Sequence, residues 1–447
     1  MENRENYLRL NVPIRKDAEW FVELRAEVER ECGKERVRWQ QGSYHITVAF
    51  FKDSQHVEEL TNVFDGIMRG SVAPELTFDE VNTFVTRDGK EIIVNLTASK
   101  PTAEFDAFID RLRKAADETG VEMEPDFRLH VTLGRIATEM VAIEDATEVA
   151  ESIEVPPFEL TLHEAEYRYR PNPQISFWRL PGKSDYRGIN RMVMMDTQKQ
   201  YETLPELREA VHFSIEHQFM VSQEEHIDQP AARESHTQYF TSPRRTFEAA
   251  QGYKDKKVAV LNFANNHSVG GAPFSAGAQE ESLCRCSTLY PCLQSMRDGF
   301  YQKHIEEYGK GLINEMGSDD LIYTPDVVVF KTDNRTDPVF SRMMDEKEWF
   351  KVDVITCAAP ELMKMRRTPG NYEEIITRRI KRILDVAARE RVDVLILGAW
   401  GCGAFGNDIA VVAKAFYTLL EHYNFETVEF ALGSTRFHKY FPKGTTV

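Results

Sequence analysis

An α+β unit followed by an α/β unit is the fold this sequence predicts, and three observations predict it. The chain has 447 residues, more than one hydrophobic core usually covers. From residue 7 to about residue 180, short alternating strand patterns are mixed with amphipathic helices. Beyond residue 190 the strand patterns become continuous apolar runs separated by helices, as expected for a mainly parallel sheet covered on both faces.

The elements follow in order. Strands are expected at Tyr7 to Val12 and Tyr44 to Phe50, with helices at Lys16 to Cys32 and His56 to Met68. Paired β segments at Leu76 to Val85 and Glu91 to Leu96 precede a helix at Thr102 to Glu118. Strands near Arg128 to Leu133, Phe158 to Tyr169 and Ile175 to Leu180 complete a first domain, residues 1–180. Residues 181–190, short, polar and glycine-bearing, read as a linker to a second domain, residues 191–447. There, an amphipathic segment at Thr203 to Gln218 and a polar one at Ser222 to Pro243 come first. Apolar strands follow at Val258 to Phe263, Leu321 to Phe330, Val352 to Ala358, Val392 to Trp400 and Val428 to Leu432, with helices at Ser282 to His304 and Asp408 to Leu420.

Composition narrows the function classes. Hydrophobic residues make up 42% and charged residues 28%, values of an ordinary soluble protein. A net charge of -17 opposes wrapping a long polyanion, since such binding relies on Lys and Arg neutralising phosphates. A small phosphorylated ligand in a cleft remains compatible with it. No run approaches the roughly 18 to 20 apolar residues of a membrane span, so a cytoplasmic protein with no membrane partner is expected. The six cysteines show no paired metal-ligand spacing, and no metal or cofactor is expected.

Two copies of His-x-Thr lie in strand patterns: Tyr44-His45-Ile46-Thr47-Val48 and Leu129-His130-Val131-Thr132-Leu133. A strand has a side-chain period of two, so each imidazole shares a face with its hydroxyl. Two such strands side by side would set His45 and His130 across one phosphate, one as base and one as acid, with Thr47 and Thr132 holding its oxygens. His212-Phe213-Ser214 is a similar tripeptide in a helical pattern, where positions i and i+2 diverge. It cannot do this work.

The second constellation begins where the strand Val258 to Phe263 runs into Ala264-Asn265-Asn266, a place where open α/β sheets bind ligands. Asn262 and Asn265 are placed for a ligand, and Gly270 and Gly271 let the backbone approach it closely. Gln279-Glu280-Glu281 opens a helical pattern whose N-terminal amides favour anions. A second loop, Gly401-Cys402-Gly403-Ala404-Phe405-Gly406, matches Gly-x-Gly-x-x-Gly but follows a late strand, with only about 40 residues after it. That position fits a diphosphate-cradling loop of another α/β fold better than a dinucleotide fingerprint, which belongs on the first strand of a βαβ unit.

On the two His-x-Thr motifs, the first domain resembles the two-histidine (2H) phosphoesterase superfamily, which includes RNA 2′,3′-cyclic phosphodiesterases. The resemblance implies a bilobal α+β fold and metal-free chemistry on 2′,3′ or 1″,2″ cyclic phosphates, with Arg135, trailing the second motif, touching the phosphate. The second domain resembles the microbial type of poly(ADP-ribose) glycohydrolase. The matching residues are 260–264, 278–285, 397–403 and 405–408. This likeness implies an α/β/α macrodomain, with a mixed, mainly parallel sheet and helices on both faces. It implies Glu281 as general acid with Glu280 as its neighbour, Val269 to Gly271 lining the distal ribose, Asn265 contacting it, and Phe405 packing against it in the diphosphate loop 401–406. The family's three glycines are Val269-Gly270-Gly271 here, and a valine in first place would tighten the site or change which leaving group fits.

Three functions are expected from these readings. In the first, both domains act on one ADP-ribose derivative: His45 and His130 open ADP-ribose 1″,2″-cyclic phosphate, and Glu281 then releases phosphate at C1″. In the second the activities are separate, with ADP-ribose removed from protein or nucleic acid and RNA cyclic-phosphate ends processed elsewhere in the chain. In the third the second domain only binds ADP-ribose. Partners are accordingly ADP-ribose or an ADP-ribosyl phosphate, RNA ends, or ADP-ribosylated macromolecules.

Overall fold

The computed structural model describes residues 6–52, 56–123, 129–139, 142–169, 175–228, 237–333, 341–433 and 437–441. It divides into two compact units, Met1–Asp185 and Tyr186–Val447. Arg128, at the start of one expected strand, and residues 229–236 of the expected polar segment lie outside the described residues. Among the described residues no helix is long and apolar enough to cross a membrane.

The first unit carries strands β1 (Asn6–Val12), β2 (Val37–Trp39), β3 (Tyr44–Phe50), β4 (Glu75–Phe78), β5 (Glu80–Val85), β6 (Glu91–Thr97), β7 (Val131–Ala137), β8 (Phe158–Thr161), β9 (Glu164–Tyr169) and β10 (Ile175–Arg179). Its helices are α1 (Glu19–Cys32), α2 (Val57–Arg69), α3 (Ala103–Asp117) and α4 (Ile143–Glu151). The main sheet runs β10-β9-β1-β3-β7-β6-β5, with β2 on β7, while β4 and β8 form a separate pair. All pairings are antiparallel. Alternation explains them: Leu8, Leu10, Val12, Ile46 and Val48 are buried in one core with Phe21, Leu24, Phe64 and Phe108 from the helices. The intervening residues of β1 and β3 are free to carry chemistry.

The second unit begins with α5 (Tyr186–Thr203) and α6 (Pro205–His217), then β11 (Phe219–Val221), β12 (Gln238–Ser242), α7 (Thr246–Ala250) and β13 (Val258–Ala264). After these come α8 (Gln279–Cys286), α9 (Leu289–Ser295), a π-helical turn at Arg297–Gln302, α10 (Lys303–Gly309), β14 (Leu321–Val329), β15 (Phe350–Ala358), α11 (Tyr372–Arg389), β16 (Val394–Leu397), α12 (Ile409–Leu420) and β17 (Thr427–Ala431). The sheet order is β11-β14-β15-β13-β16-β17-β12. The run from β15 to β12 is parallel, and β14 and β11 are added antiparallel at one edge. Two apolar clusters contribute alternate residues of β13, Ala259 and Leu261 to one and Val258 and Val260 to the other, so both faces of the strand are covered.

Several boundaries differ from expectation, each for a local reason. Residues 186–190 of the expected linker are the first turn of α5. The expected helix from Ser282 to His304 is broken after Cys286, because Ser287 is extended (φ -147°) and bridges to Val329. The strand expected to Trp400 ends at Leu397: a side chain at Gly398 would stand 2.9 Å from both the Ala431 carbonyl and the Phe263 ring. His130 precedes β7 rather than lying within it. His212 and Ser214 lie on α6, as their pattern required.

Candidate active sites

In the first unit the sheet register collects polar groups on one face. Arg9 pairs with Thr47 and Asn11 with His45 across β1 and β3, and Arg9 pairs with Glu166 across β1 and β9. Ile46 pairs with Val131, which sets His45 across from Thr132 and Thr47 across from His130. Thr47 is buried, whereas His45, His130 and Thr132 are half-buried. The His130 ring stands edge-on to Phe84, with centroids 5.0 Å apart.

The surroundings of His45 are cationic. Arg9 is only 4% exposed and donates to Glu166 at 2.7 Å, with its other guanidinium nitrogen 3.4 Å from His45 Nδ1. Arg168 donates to the same Glu166 oxygen at 2.9 Å, so two guanidiniums share one carboxylate beside the imidazole. Tyr7 stacks on the His45 ring. Burial, reinforced by the Arg9 charge, pulls His45 down to about 4, so it is neutral at pH 7. A guanidinium has no acceptor, so where it faces Nδ1 the ring proton sits on Nε2. Arg135 sits elsewhere: its guanidinium is exposed and bonded to Glu91 at 2.9 Å, together with Arg38. Arg9 and Arg168, which have no motif spacing to betray them, are the cations beside His45.

In the second unit a cavity of about 370 Å³ opens beyond the carboxyl ends of β13, β16 and β17. Its walls come from the segments just after those strands: Phe263 and Asn265, then residues 399–405 without Cys402, then residues 431–433. The N-terminus of α8 forms the remaining wall, with Gln279, Glu280 and Glu281. Both carboxylates are buried, 3% and 8% exposed.

Glu280 is fixed at both oxygens, by the Asn265 N–H at 2.8 Å and the Asn262 amide at 3.3 Å. Burial pushes its carboxyl well above the usual range; the Asn265 bond opposes that rise and the Glu281 charge adds to it. Glu281 Oε1 accepts from the Ala272 N–H at 3.1 Å, while Oε2 is buried and has no partner among the described residues. The glycine turn makes this possible. Gly270 and Gly271 have φ of +63° and +67°. A Cβ on Gly271 would lie 2.9 Å from Glu281 Cδ and 3.2 Å from Glu280 Oε2, and one on Gly270 would lie 2.8 Å from Cys284 Sγ. The carboxylates therefore abut bare backbone.

The remaining expected residues divide by position. Asn262 is fully buried and reaches Glu280 rather than the cavity. Gln279 lines the cavity, but its amide is committed to the Phe263 N–H, the Leu261 carbonyl and Thr246 Oγ1, fastening α8 to β13. Asn265 Oδ1 caps the His267 and Ser268 N–H groups, leaving its amide nitrogen for a ligand. Val269, expected at the distal ribose, packs against an apolar cluster and is not among the residues that line this cavity. Gly401, Gly403, Ala404 and Phe405 line the cavity; Cys402 and Gly406 do not. Gly401 (φ +72°) and Gly406 (φ +72°) are required by backbone shape, and Gly406 also by Met363, whose Sδ would be 2.8 Å from a Cβ. Gly403 has no protein atom within 4 Å of where a Cβ would be, so its bareness leaves room on the cavity side.

Residues 192–332 match the family described as microbial-type PARG, catalytic domain, and residues 13–172 match the 2′-5′ RNA ligase superfamily. The chain carries a domain of each family. Both are families of hydrolases. Similar solved structures include poly(ADP-ribose) glycohydrolase from Thermomonospora curvata bound to the inhibitor ADP-HPD, 29% identical over 56% of this chain and 97% of that one, with a TM-score of 0.47. The enzyme from Deinococcus radiodurans in complex with ADP-ribose is 30% identical over 50% of this chain and 91% of that one, with a TM-score of 0.44. No curated protein matches the chain.

The PARG-type unit holds functional groups that the sequence did not signal. Arg245, from the turn between β12 and α7, donates to Ser282 Oγ at 2.6 Å and pairs with Asp333 at 2.8 Å, and Ser282 donates to Asp333 at 2.9 Å. All three line the cavity, as do Phe437 and the edge of Trp400. These residues are far apart in the chain and belong to no periodic pattern. The PARG match ends at residue 332, so Asp333 and the loop 401–406 fall outside it.

Proposed function

We propose that the chain is a hydrolase with two chemistries: cleavage at C1″ of an ADP-ribosyl group in the PARG-type unit, and opening of a cyclic phosphodiester in the ligase-superfamily unit. The observation that carries the first is the uncommitted Oε2 of buried Glu281, set against bare backbone in a cavity rimmed by a glycine loop. Breaking a glycosidic bond needs a proton on the leaving oxygen and a water directed at C1″, and the oxocarbenium-like transition state gains from nearby negative charge. Burial favours a proton on the adjacent Glu280 carboxyl, and Glu281 Oε2 is the oxygen to which no described residue donates. Asn265 and the 401–406 loop bind the distal ribose and diphosphate, with Phe405 against the ribose. In the first unit His45 and His130 flank the scissile phosphate, and Thr47 and Thr132 hold its oxygens. The Arg9 and Arg168 guanidiniums add positive potential beside it.

Mass spectrometry tests this directly. The intact protein should release ADP-ribose from an ADP-ribosylated macromolecule and lose that activity in Glu281→Ala; a cyclic phosphate such as ADP-ribose 1″,2″-cyclic phosphate should open and stay intact with His130→Ala. Binding of ADP-ribose without turnover of any ADP-ribosyl compound would sink the glycohydrolase reading. The pairing of both domains in one chain favours a second reading, consecutive action on a single ligand. In that case the cyclic phosphate ends as ADP-ribose, and ADP-ribose 1″-phosphate accumulates in Glu281→Ala.

A further inference from the structure

In the loop 401–406 alternate carbonyls are engaged while a run of amides is not. The Gly403 carbonyl accepts from the Gly406 N–H at 3.1 Å, the Phe405 carbonyl from the Met363 N–H at 3.2 Å, and the Gly401 carbonyl from the Asn407 N–H at 3.0 Å. The N–H groups of Gly403, Ala404 and Phe405 have no acceptor among the described residues. Three successive unpaired amides, on residues that line the cavity, suit an anion. Asn407 stands just behind them and lines no cavity.

We infer that Asn407 is a positioning residue for the ligand's diphosphate: without touching it, the side-chain amide ties Gly401 to the exit of β15 and so holds amides 403–405 toward the phosphates. The inference rests on the glycohydrolase reading, in which this loop carries the diphosphate. The side chain is 5% exposed, and its Nδ2 donates to the Pro360 carbonyl at 2.7 Å and to the Gly401 carbonyl at 3.0 Å. Gly401 thus receives two donors from one residue, which keeps a carbonyl oxygen from competing with phosphate oxygens for the same space. Pro360 follows Ala359, which lines both this cavity and an adjoining one of about 280 Å³. In the sheet β13 lies between β15 and β16, so the Asn407 nitrogen joins two loops across the end of the strand that leads to Asn265. The approach needs a bare Gly401, where a Cβ would stand 2.5 Å from Nδ2. Met363 repeats the tie at the tip of the loop, through its N–H on Phe405 and its side chain against Gly406. Asn407 is anchored from behind as well. Its neighbour Asp408 caps α12 and donates its N–H to Tyr372 Oη at 3.0 Å. Asn407 Oδ1, by contrast, is buried with no partner among the described residues. An unpaired buried acceptor is unfavourable, so the contribution of this side chain lies in its nitrogen.

Calorimetry and steady-state kinetics on the full chain test this, with ADP-ribose as the ligand and an ADP-ribosylated protein as the substrate. In Asn407→Ala, Kd for ADP-ribose and KM for its release should both rise about tenfold, the scale of one or two lost hydrogen bonds, while kcat changes less than about twofold. Asn407→Asp keeps the size of the side chain but loses its donor, and it should raise Kd and KM at least as far; it decides the matter if the alanine variant does not fold. Wild-type Kd in Asn407→Asp would show that the side chain acts by filling space, and overturns the inference. A fall in kcat with KM unchanged overturns it too, because Asn407 would then act on the chemistry. If the intact chain releases no ADP-ribose while Asn407→Asp still weakens its binding about tenfold, the glycohydrolase reading falls and the positioning role stands.

Discussion

Substituting alanine for Gly271 tests the geometry of the acid pair more sharply than removing either carboxylate. The new Cβ would stand 2.9 Å from Glu281 Cδ and closer still to Oε1, while apolar carbon contacts are most favourable at about 3.5 to 4.0 Å. The Glu281 carboxyl must then retreat by roughly 0.6 to 1 Å, or the turn must move. The turn resists, because φ at this position is +67° and an L side chain there costs about 1 to 2 kcal/mol. Displacements near 1 Å at reacting groups cost on the order of 10²-fold in rate. Gly271→Ala should therefore lower kcat for ADP-ribose release by about 10²-fold, with a loss of about 1 to 2 kcal/mol in stability that leaves the protein folded. Release measured by chromatography and a thermal melt give the two numbers. Wild-type kcat in a folded Gly271→Ala protein would refute the claim that Glu281 acts from the position the turn allows.

Other expectations follow from neighbouring observations. Gly403→Ala should leave the melting temperature in place, since its Cβ meets no protein atom, yet weaken ADP-ribose binding in calorimetry by about tenfold; a loss of stability instead would show that the glycine is structural. Burial raises the Glu280 pKa, so the release rate should fall as pH rises through the Glu280 ionisation, and Glu280→Gln should move that alkaline limb. An unmoved limb would remove Glu280 from the proton's path. His45 is held down at about 4 against 6.5 in the unfolded chain, so the unfolded chain takes up a proton first. Stability of the first unit should thus be lost as pH falls from about 6.5 to about 4, by at most roughly 3 kcal/mol, and His45→Gln should flatten that slope. Arg9→Met should raise the His45 titration midpoint seen by NMR, and a midpoint that stays near 4 would leave burial as the whole cause.

The legible part of this protein is the part whose chemistry is local. His45 with Thr47, and Gly270-Gly271 with Glu280-Glu281, sit within a few residues of each other, so a period of two or a tight turn announces them. Antiparallel and parallel sheets were likewise distinguishable, because β1 and β3 alternate while β13 and β16 are buried on both faces. What stayed hidden is long-range pairing. Arg9 and Glu166 are 157 positions apart and meet only through the order β9-β1-β3. Arg245, after β12, and Asp333, after β14, come from strands near opposite edges of the sheet and meet at Ser282 on α8. Arg135 and Val269 were expected at the ligand from the family resemblances, and in the structure one side chain is tied to Glu91 while the other packs against an apolar cluster.

The electrostatics of the second unit bear on which substrate it opens. Two like charges about 4 Å apart in a partly screened site repel by about 4 kcal/mol. A phosphate leaving C1″ toward the adjoining cavity would meet Glu315 and Glu361, which line it. A hydroxyl leaving group meets none of that repulsion, and its oxygen needs a proton, which burial favours on Glu280. The first unit has the opposite arrangement: two guanidiniums share a single carboxylate beside His45. The consecutive reading thus asks this unit to release an anion toward Glu315 and Glu361. Separate substrates, a cyclic phosphate for the cationic face and an ADP-ribosyl ether or ester for the acidic cavity, require no such opposition, and the charge of each site is then matched to the bond it breaks.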